Sequence, residues 1–240
     1  MRGVGVYGGT FNPIHVGHLR AAEEVSEALG LARVLFVPSA VPPHKADDGG
    51  DAIAPGAERL AWVRLAIADN PRFAADATEV ERGGASYLVD TLRILRERLR
   101  GAGEEPVFLV GSDAFAEMGG WRAPRELFGL AHFAVVPRPP LRGGSLGAWL
   151  PEEVRDLVEL AADGRSGRHR AAGTWLRLVE IAGFDVSASD LRRRLRDGRS
   201  VRYLLPEAVR AAVLASGIYR EADSVGPAGA GGSPGVRASR

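Results

Sequence analysis

Apolar positions fall into two recurrent patterns along the chain. Short, mostly apolar runs at residues 4–7, 34–37, 107–110 and 133–136 are bounded by Gly, Pro or charged residues, which is the pattern of strands buried on both faces. Between them, apolar residues recur at three- and four-residue intervals and predict amphipathic helices over 19–29, 57–68 and 87–99, the first closed by Gly30. Residues 78–81 read as a β-like segment ahead of the third helix. Strand alternating with helix predicts an α/β fold built on a doubly wound parallel sheet.

Further along the pattern weakens. A helix over 152–162, a basic loop over 164–170 read as solvated surface, and a short strand over 176–181 are the expectations there. Two helices follow, one opening after Ser187 and one over 206–216, with Leu195, Tyr203, Leu204 and Leu205 expected to pack them onto the sheet as a small C-terminal helical segment. Residues 221–240, rich in Gly, Ala, Pro and Ser, are expected to form a disordered tail, because they offer too little apolar surface to offset the entropy of ordering. Residues 1–220 then form a single domain.

That alternation has a functional consequence. In open α/β sheets ligands bind beyond the carboxyl ends of the strands. Residues 8–18, 39–45 and 111–113, and Arg138, all follow strands, so the topology should collect them on one rim. The first cluster runs Gly8, Gly9, Thr10, Phe11, Asn12, Pro13, Ile14, His15, Val16, Gly17, His18. Paired glycines let backbone N–H groups approach a ligand that a Cβ would obstruct, and Thr10 adds a hydroxyl. His15 and His18, three apart on an entering helix, share a face and can point at one group. Together they suit a triphosphate.

Other readings of the same residues fail. His-x-x-His lacks a third zinc ligand nearby, and the chain has no cysteine. Gly3, Gly5 and Gly8 match G-x-G-x-x-G formally, but they lie inside the first strand where a dinucleotide fingerprint would follow one.

Composition narrows the classes. A 45% hydrophobic, 25% charged chain of 240 residues can build one core, and a net charge of +1 gives no reason to expect nucleic acid or a membrane as partner. No leader pattern precedes the first strand and no cysteine is used, so the cytoplasm is the expected compartment. The basic residues are almost all arginine. Lys45, beside His44, is the sole lysine, which marks that position as a candidate for chemistry.

A second constellation lies near the C-terminus. Ser187 reads as an N-cap, with Ser189 and Asp190 in the first turn and Arg192 just beyond. A helix N-terminus there offers free N–H donors and partial positive charge to an anion, and Arg192 could add a bidentate grip. A well-capped helix with no further role fits the same residues. Arg193, Arg194 and Arg196 read as a solvated face.

The opening motif and the Val-Ser-Ala-Ser-Asp-Leu-Arg segment at 186–192 resemble the paired signatures of the HxGH nucleotidyltransferase superfamily. Pro38 and Ser39, Pro42 through Lys45, Ser86 through Leu92, and Gly111 through Asp113 with Trp121 resemble, within it, the bacterial nicotinate-nucleotide adenylyltransferase family. The resemblance covers residues 3–219. It implies a Rossmann-like sheet of nucleotidyltransferase type and adenylyl transfer from ATP to nicotinate mononucleotide, giving deamido-NAD and pyrophosphate. It also implies an ATP site at Gly8, Gly9, Thr10, Phe11, Asn12, His15, Gly17, His18, Gly111, Asp113, Ser187, Ser189 and Arg192. The mononucleotide would meet Ser39, His44, Lys45, Thr91, Trp121 and Arg138, and His15, His18, Lys45 and Arg192 would carry the chemistry. Mg²⁺ is implied as a cofactor held mainly by substrate phosphates, with no protein metal site.

Three departures stand out. Asn12 occupies a position where many members carry Asp, Leu88 and Val89 replace more polar residues, and residues 139–174 run longer than typical, which leaves homo-oligomerisation open. Trp121 could be a stacking platform or a half-buried packing residue, and Asp113 a ligand or a helix N-cap. Another HxGH-type enzyme, such as a pantetheine-phosphate adenylyltransferase, or a nucleotide-sensing regulator that has lost turnover, would carry much of the same pattern.

Overall fold

The structure is a computed structural model that describes residues 2–42, 52–137 and 144–220. In chain order its elements are β1 (Arg2–Gly9), α1 (Val16–Leu29), β2 (Arg33–Pro38), α2 (Gly56–Ala66), β3 (Phe73–Ala75), α3 (Thr78–Arg82), α4 (Leu88–Arg100), β4 (Glu104–Gly111), α5 (Ser112–Glu117), α6 (Pro124–Leu130), β5 (His132–Val136), α7 (Leu146–Trp149), β6 (Val158–Leu160), β7 (Ser166–His169), β8 (Trp175–Leu178), α8 (Ala188–Arg196) and α9 (Glu207–Ser216). The strands form one sheet in the order β3-β2-β1-β4-β5-β8-β7-β6. The first six run parallel, and β7 and β6 extend the edge antiparallel. Strand order reverses between β1 and β4, which places the ligand crevice there.

Both faces of the sheet are covered. Val4, Val6, Leu35, Val37, Phe108 and Val110 face Leu92, Leu95, Phe115 and Phe128 on one side. Val34, Phe36, Val107 and Leu109 pack with Ala22, Val25, Trp62, Leu191 and Val209 on the other. Two-sided burial explains why the central strands read as unbroken apolar runs. Gly5 has a packing role, since a Cβ there would lie 3.0 Å from Val34 Cγ2 and 3.1 Å from Leu31 Cδ1.

Several expectations are corrected. Residues 78–81 are helical, in α3, because Asp76 Oδ1 accepts the Thr78 N–H at 3.0 Å and starts a helical turn, while the strand lies upstream at β3. The helix expected over 152–162 is a 3₁₀ turn (Glu152–Leu157) followed by β6, and the basic loop over 164–170 contains its partner β7. Pairing with the sheet edge overrides local periodicity there. Leu195 and Leu205 are buried as expected, but Tyr203 is 90% exposed. The tail over 221–240 lies outside the described residues.

The amino-terminal end of the strands, opposite the crevice, holds a buried histidine at the start of β5. His132 Nδ1 accepts the Trp175 N–H at 3.0 Å and Nε2 lies 2.8 Å from Glu105 Oε2, so the neutral ring satisfies both partners with its proton on Nε2. Burial lowers its pKa, Glu105 opposes the shift, and Arg168 and Arg177 reinforce it. A base with a depressed folded pKa contributes stability above its unfolded value near 6.5, and that stability is lost as pH falls through the folded pKa. Urea unfolding between pH 7 and pH 5 should show falling stability, with at most about 1.4 kcal/mol per pH unit from this one site. His132→Asn should flatten that slope; an unchanged slope would assign it elsewhere.

Candidate active site

Gly8 and Gly9 are the last residues of β1, in register with Val37 and Pro38, so the ladder continues through them and the free turn begins at Thr10. This moves the glycines from the loop, where they were expected, into the strand end. Gly9 is still needed, because a Cβ would meet the Phe11 ring at 3.2 Å. Phe11 takes a left-handed backbone with φ of 48°, uncommon for a bulky residue, and its ring is buried against Tyr7, Phe36 and His18. The aromatic anchor holds the turn in a conformation the local sequence alone would disfavour.

The two histidines converge as predicted. Helix α1 starts one residue after His15, which occupies the N-cap, and the rings lie 3.7 Å apart between centroids. His15 N–H donates to His18 Nδ1 at 3.2 Å. With Nδ1 accepting, the neutral His18 ring carries its proton on Nε2 and presents a donor. Gly17 gives His15 room: a Cβ at 17 would stand 3.0 Å from His15 Nδ1. The spacing of the motif thus has a steric cause.

The C-terminal constellation meets this turn directly. Ser187 caps α8, its Oγ accepting the Asp190 N–H at 3.2 Å. Arg192 is 8% exposed, and its guanidinium donates to the Asn12 carbonyl at 3.0 Å and to Ser189 Oγ at 3.2 Å. Part of the fork expected to grip phosphate is therefore committed to joining the two signatures. Asp190 pairs with Arg193 and Arg194 on the outer face, which holds its carboxyl below the usual range, Arg194 acting most strongly.

The other predicted residues divide. Ser39 follows β2, its N–H donating to the Gly9 carbonyl at 2.9 Å, and Ser112 follows β4. Both are buried, and among the described residues neither hydroxyl finds a partner. Buried orphan hydroxyls at the carboxyl ends of the two parallel strands that flank β1 are groups a polar ligand could satisfy. Gly111 caps α5, so Asp113 is not the N-cap and stands exposed in the first turn. Trp121, between α5 and α6 in the chain, is half-buried against the core. Thr91 is not brought to the rim: it is 1% exposed, and its hydroxyl donates to buried Glu79 at 2.6 Å. His44, Lys45 and Arg138 lie outside the described residues. Among the described residues no group of three or more His, Asp or Glu side chains could hold a metal ion.

Sequence reasoning missed the residues that hold the turn from behind. Asn12 is a hub: its Oδ1 accepts from the Ala54 N–H at 3.0 Å and from the Tyr219 hydroxyl, and its Nδ2 donates to the Ala52 carbonyl at 3.0 Å. An aspartate would lack that last donor, which gives this departure from the family pattern a structural meaning. Arg59, on α2, is fully buried and donates to the carbonyls of Thr10, Ser39, Ala40 and Ala54. Ser86 Oγ accepts the Ala40 N–H at 2.8 Å, docking the start of the Ser-Tyr-Leu-Val-Asp segment on the end of β2. The one available signal was an arginine among apolar residues on the inward face of a helix.

Comparison with known proteins gives concordant results. Residues 6–194 match the model of the family described as cytidylyltransferase-like. A protein of Marinobacter nauticus named probable nicotinate-nucleotide adenylyltransferase is 46% identical over 218 residues, covering 89% of this chain and 95% of that protein. One from Halorhodospira halophila with the same name is 43% identical over 219 residues, covering 91% and 96%. Among solved structures, a Plasmodium falciparum nicotinic acid mononucleotide adenylyltransferase complexed with NaAD has a TM-score of 0.66 at 14% identity, over 91% of this chain and 98% of that one, and so shares the fold.

The hub at Asn12 yields a stability test. Tyr219→Phe removes one buried hydrogen bond but leaves Asn12 Oδ1 its Ala54 donor, so urea denaturation should report a loss of about 0.5–1.5 kcal/mol. No loss would mean that the hydroxyl does not secure the turn.

Proposed function

The chain belongs to the nicotinate-nucleotide adenylyltransferase family, and on that premise we propose that it catalyses adenylyl transfer from ATP to nicotinate mononucleotide, giving deamido-NAD and pyrophosphate. The observation that carries this reading is the junction of the two signatures, with Arg192 of α8 hydrogen-bonded to the backbone of the turn that ends in His15 and His18. The two ends of the sequence form one phosphate-facing surface at the switch point of the sheet.

The chemistry asks little of a base. The nucleophile is the 5′-phosphate of the mononucleotide, whose second pKa is about 6, so it is largely dianionic at neutral pH. One of its oxygens bonds to the α-phosphorus of ATP while the bond from that phosphorus to the bridging oxygen breaks, and the electron pair leaves with pyrophosphate. The site must bring two anions together and stabilise charge as it moves onto the leaving group. His18 Nε2–H is a fixed donor for that purpose, because the His15 backbone already holds Nδ1. His15 packs beside it, and Arg192, anchored on Asn12 and Ser189, adds positive charge. Gly8, Gly9, Thr10, Phe11, Asn12 and Gly17 shape the ATP side, with Gly111, Asp113, Ser187 and Ser189 around it.

On the mononucleotide side we assign Ser39, His44, Lys45, Trp121 and Arg138. Thr91, buried and bonded to Glu79, is left out of this set. Trp121 can stack on the pyridinium ring, a cation–π contact of about 0.5–2 kcal/mol. A divalent cation, Mg²⁺, would be carried here mainly by the phosphates, with Asp113 the one carboxylate assigned to the ATP side. Bound there, it would neutralise charge on the triphosphate.

Steady-state assays with ATP and Mg²⁺ that offer nicotinate and nicotinamide mononucleotides side by side should show preferential pyrophosphate release with nicotinate. Equal use, or preference for phosphopantetheine, would replace the assignment with another member of the superfamily. His18→Ala should lower kcat by about 10²–10³ with little change in either KM. Unchanged turnover would remove His18 from the chemistry. Lys45→Ala should chiefly raise the mononucleotide KM, and an unaltered value would refute its role there.

A further inference from the structure

Arg59 is 0% exposed; buried Glu79 attracts its charge, but its hydrogen bonds go to backbone carbonyls. Its guanidinium is spread over four carbonyls from three segments. Nε donates to Ala54 O at 2.7 Å, one terminal nitrogen to Thr10 O at 2.6 Å, and the other to Ser39 O at 2.6 Å and Ala40 O at 2.8 Å. Those segments are the phosphate-facing turn after β1, the end of β2, and the stem entering α2. A buried charge is costly unless it is well hydrogen-bonded, and only a planar fork reaches three segments at once. A lysine ammonium is a single point and cannot span them.

The consequence reaches the surface of the site through the peptide plane. In a trans peptide the C=O and the following N–H point in opposite directions. A Thr10 carbonyl held inward on Arg59 therefore turns the Phe11 N–H outward, at the residue whose left-handed φ of 48° already marks the turn as conformationally specific. The Ser39 carbonyl, held the same way, directs the Ala40 N–H onto Ser86 Oγ, where it is found. We propose that Arg59 is a positioning residue: it fixes the peptide planes of the phosphate turn and of the β2 end relative to each other, so that the Phe11 amide is presented to a substrate phosphate. This rests on the adenylyl-transfer reading for the identity of that phosphate, but the positioning itself does not.

Arg59→Lys and Arg59→Met are the test variants, each measured by thermal unfolding, steady-state kinetics per folded molecule, and amide hydrogen exchange without substrate. Misplacement of a reacting group by about 1 Å costs roughly 10²-fold, so Arg59→Lys should lose kcat on that order with each KM changed by less than about threefold. Exchange should quicken in peptides covering 9–15, 39–41 and 52–55 while β4 and β5 stay protected. Wild-type kcat per folded molecule, or a uniform rise in exchange across the sheet, would overturn the proposal by reducing Arg59 to a general stabiliser. If neither variant folds, native-state exchange of the wild type decides: the amides of the three segments should open together as one cooperative unit, and independent opening refutes the proposal. A wild type with the expected exchange pattern but no turnover of nicotinate mononucleotide would fault the substrate assignment and leave the role of Arg59 standing.

Discussion

A turn that runs through the protein interior is stable only if its carbonyls and amides find partners, because each one left buried and unpaired costs about as much as several ordinary surface contacts contribute. The turn after β1 meets this constraint with side chains from distant parts of the chain. Arg59 satisfies Thr10, Arg192 satisfies the Asn12 carbonyl, and the Asn12 side chain is shared by Ala52, Ala54 and Tyr219. α2, α8 and the segment after α9 are thereby drawn to one place. The arrangement of the crevice follows from where these hydrogen bonds can be made.

The same bonds shape the electrostatics. Arg59 and Arg192 are both buried beside the turn; Arg59 donates to four backbone carbonyls, and Arg192 to the Asn12 carbonyl and to Ser189 Oγ. Carbonyl dipoles solvate the Arg59 guanidinium without neutralising it, while buried Glu79 attracts its charge. On the adenylyl-transfer reading proposed above, an anion entering the crevice would meet these buried arginines together with His18. Such a site suits a reaction whose difficulty is the approach of two phosphates and the departure of a third, and it needs no carboxylate base.

Much of this was legible from residue types and spacing. The four apolar runs are strands β1, β2, β4 and β5, and the rings of His15 and His18 meet because the two stand three positions apart at the start of α1. The serine cap of α8 is where Ser187 predicted it. Misreadings occurred where tertiary pairing overrode local pattern. Residues 152–162 have apolar spacing compatible with a helix, yet β6 lies there because the free edge of β7 offers a ladder. Thr91 looked available as a ligand, but its hydroxyl is taken by Glu79, a partner twelve residues away that no periodicity reveals.

The sequence by itself determined the alternation of strand and helix, the clustering of chemistry behind the strands, and the kinship of the two signatures, because these depend on side-chain period, on glycine and proline, and on motifs confined to a few residues. Only the tertiary structure decided that Gly8 and Gly9 belong to the ladder, that His18 Nδ1 accepts the His15 N–H, that Arg192 is shared between the turn and its own helix, and that Arg59 lies beneath them all. These are hydrogen-bond assignments between groups as far as 180 residues apart. They are set by which carbonyls the fold leaves buried and which donors happen to reach them, and that is fixed only when the helices have packed.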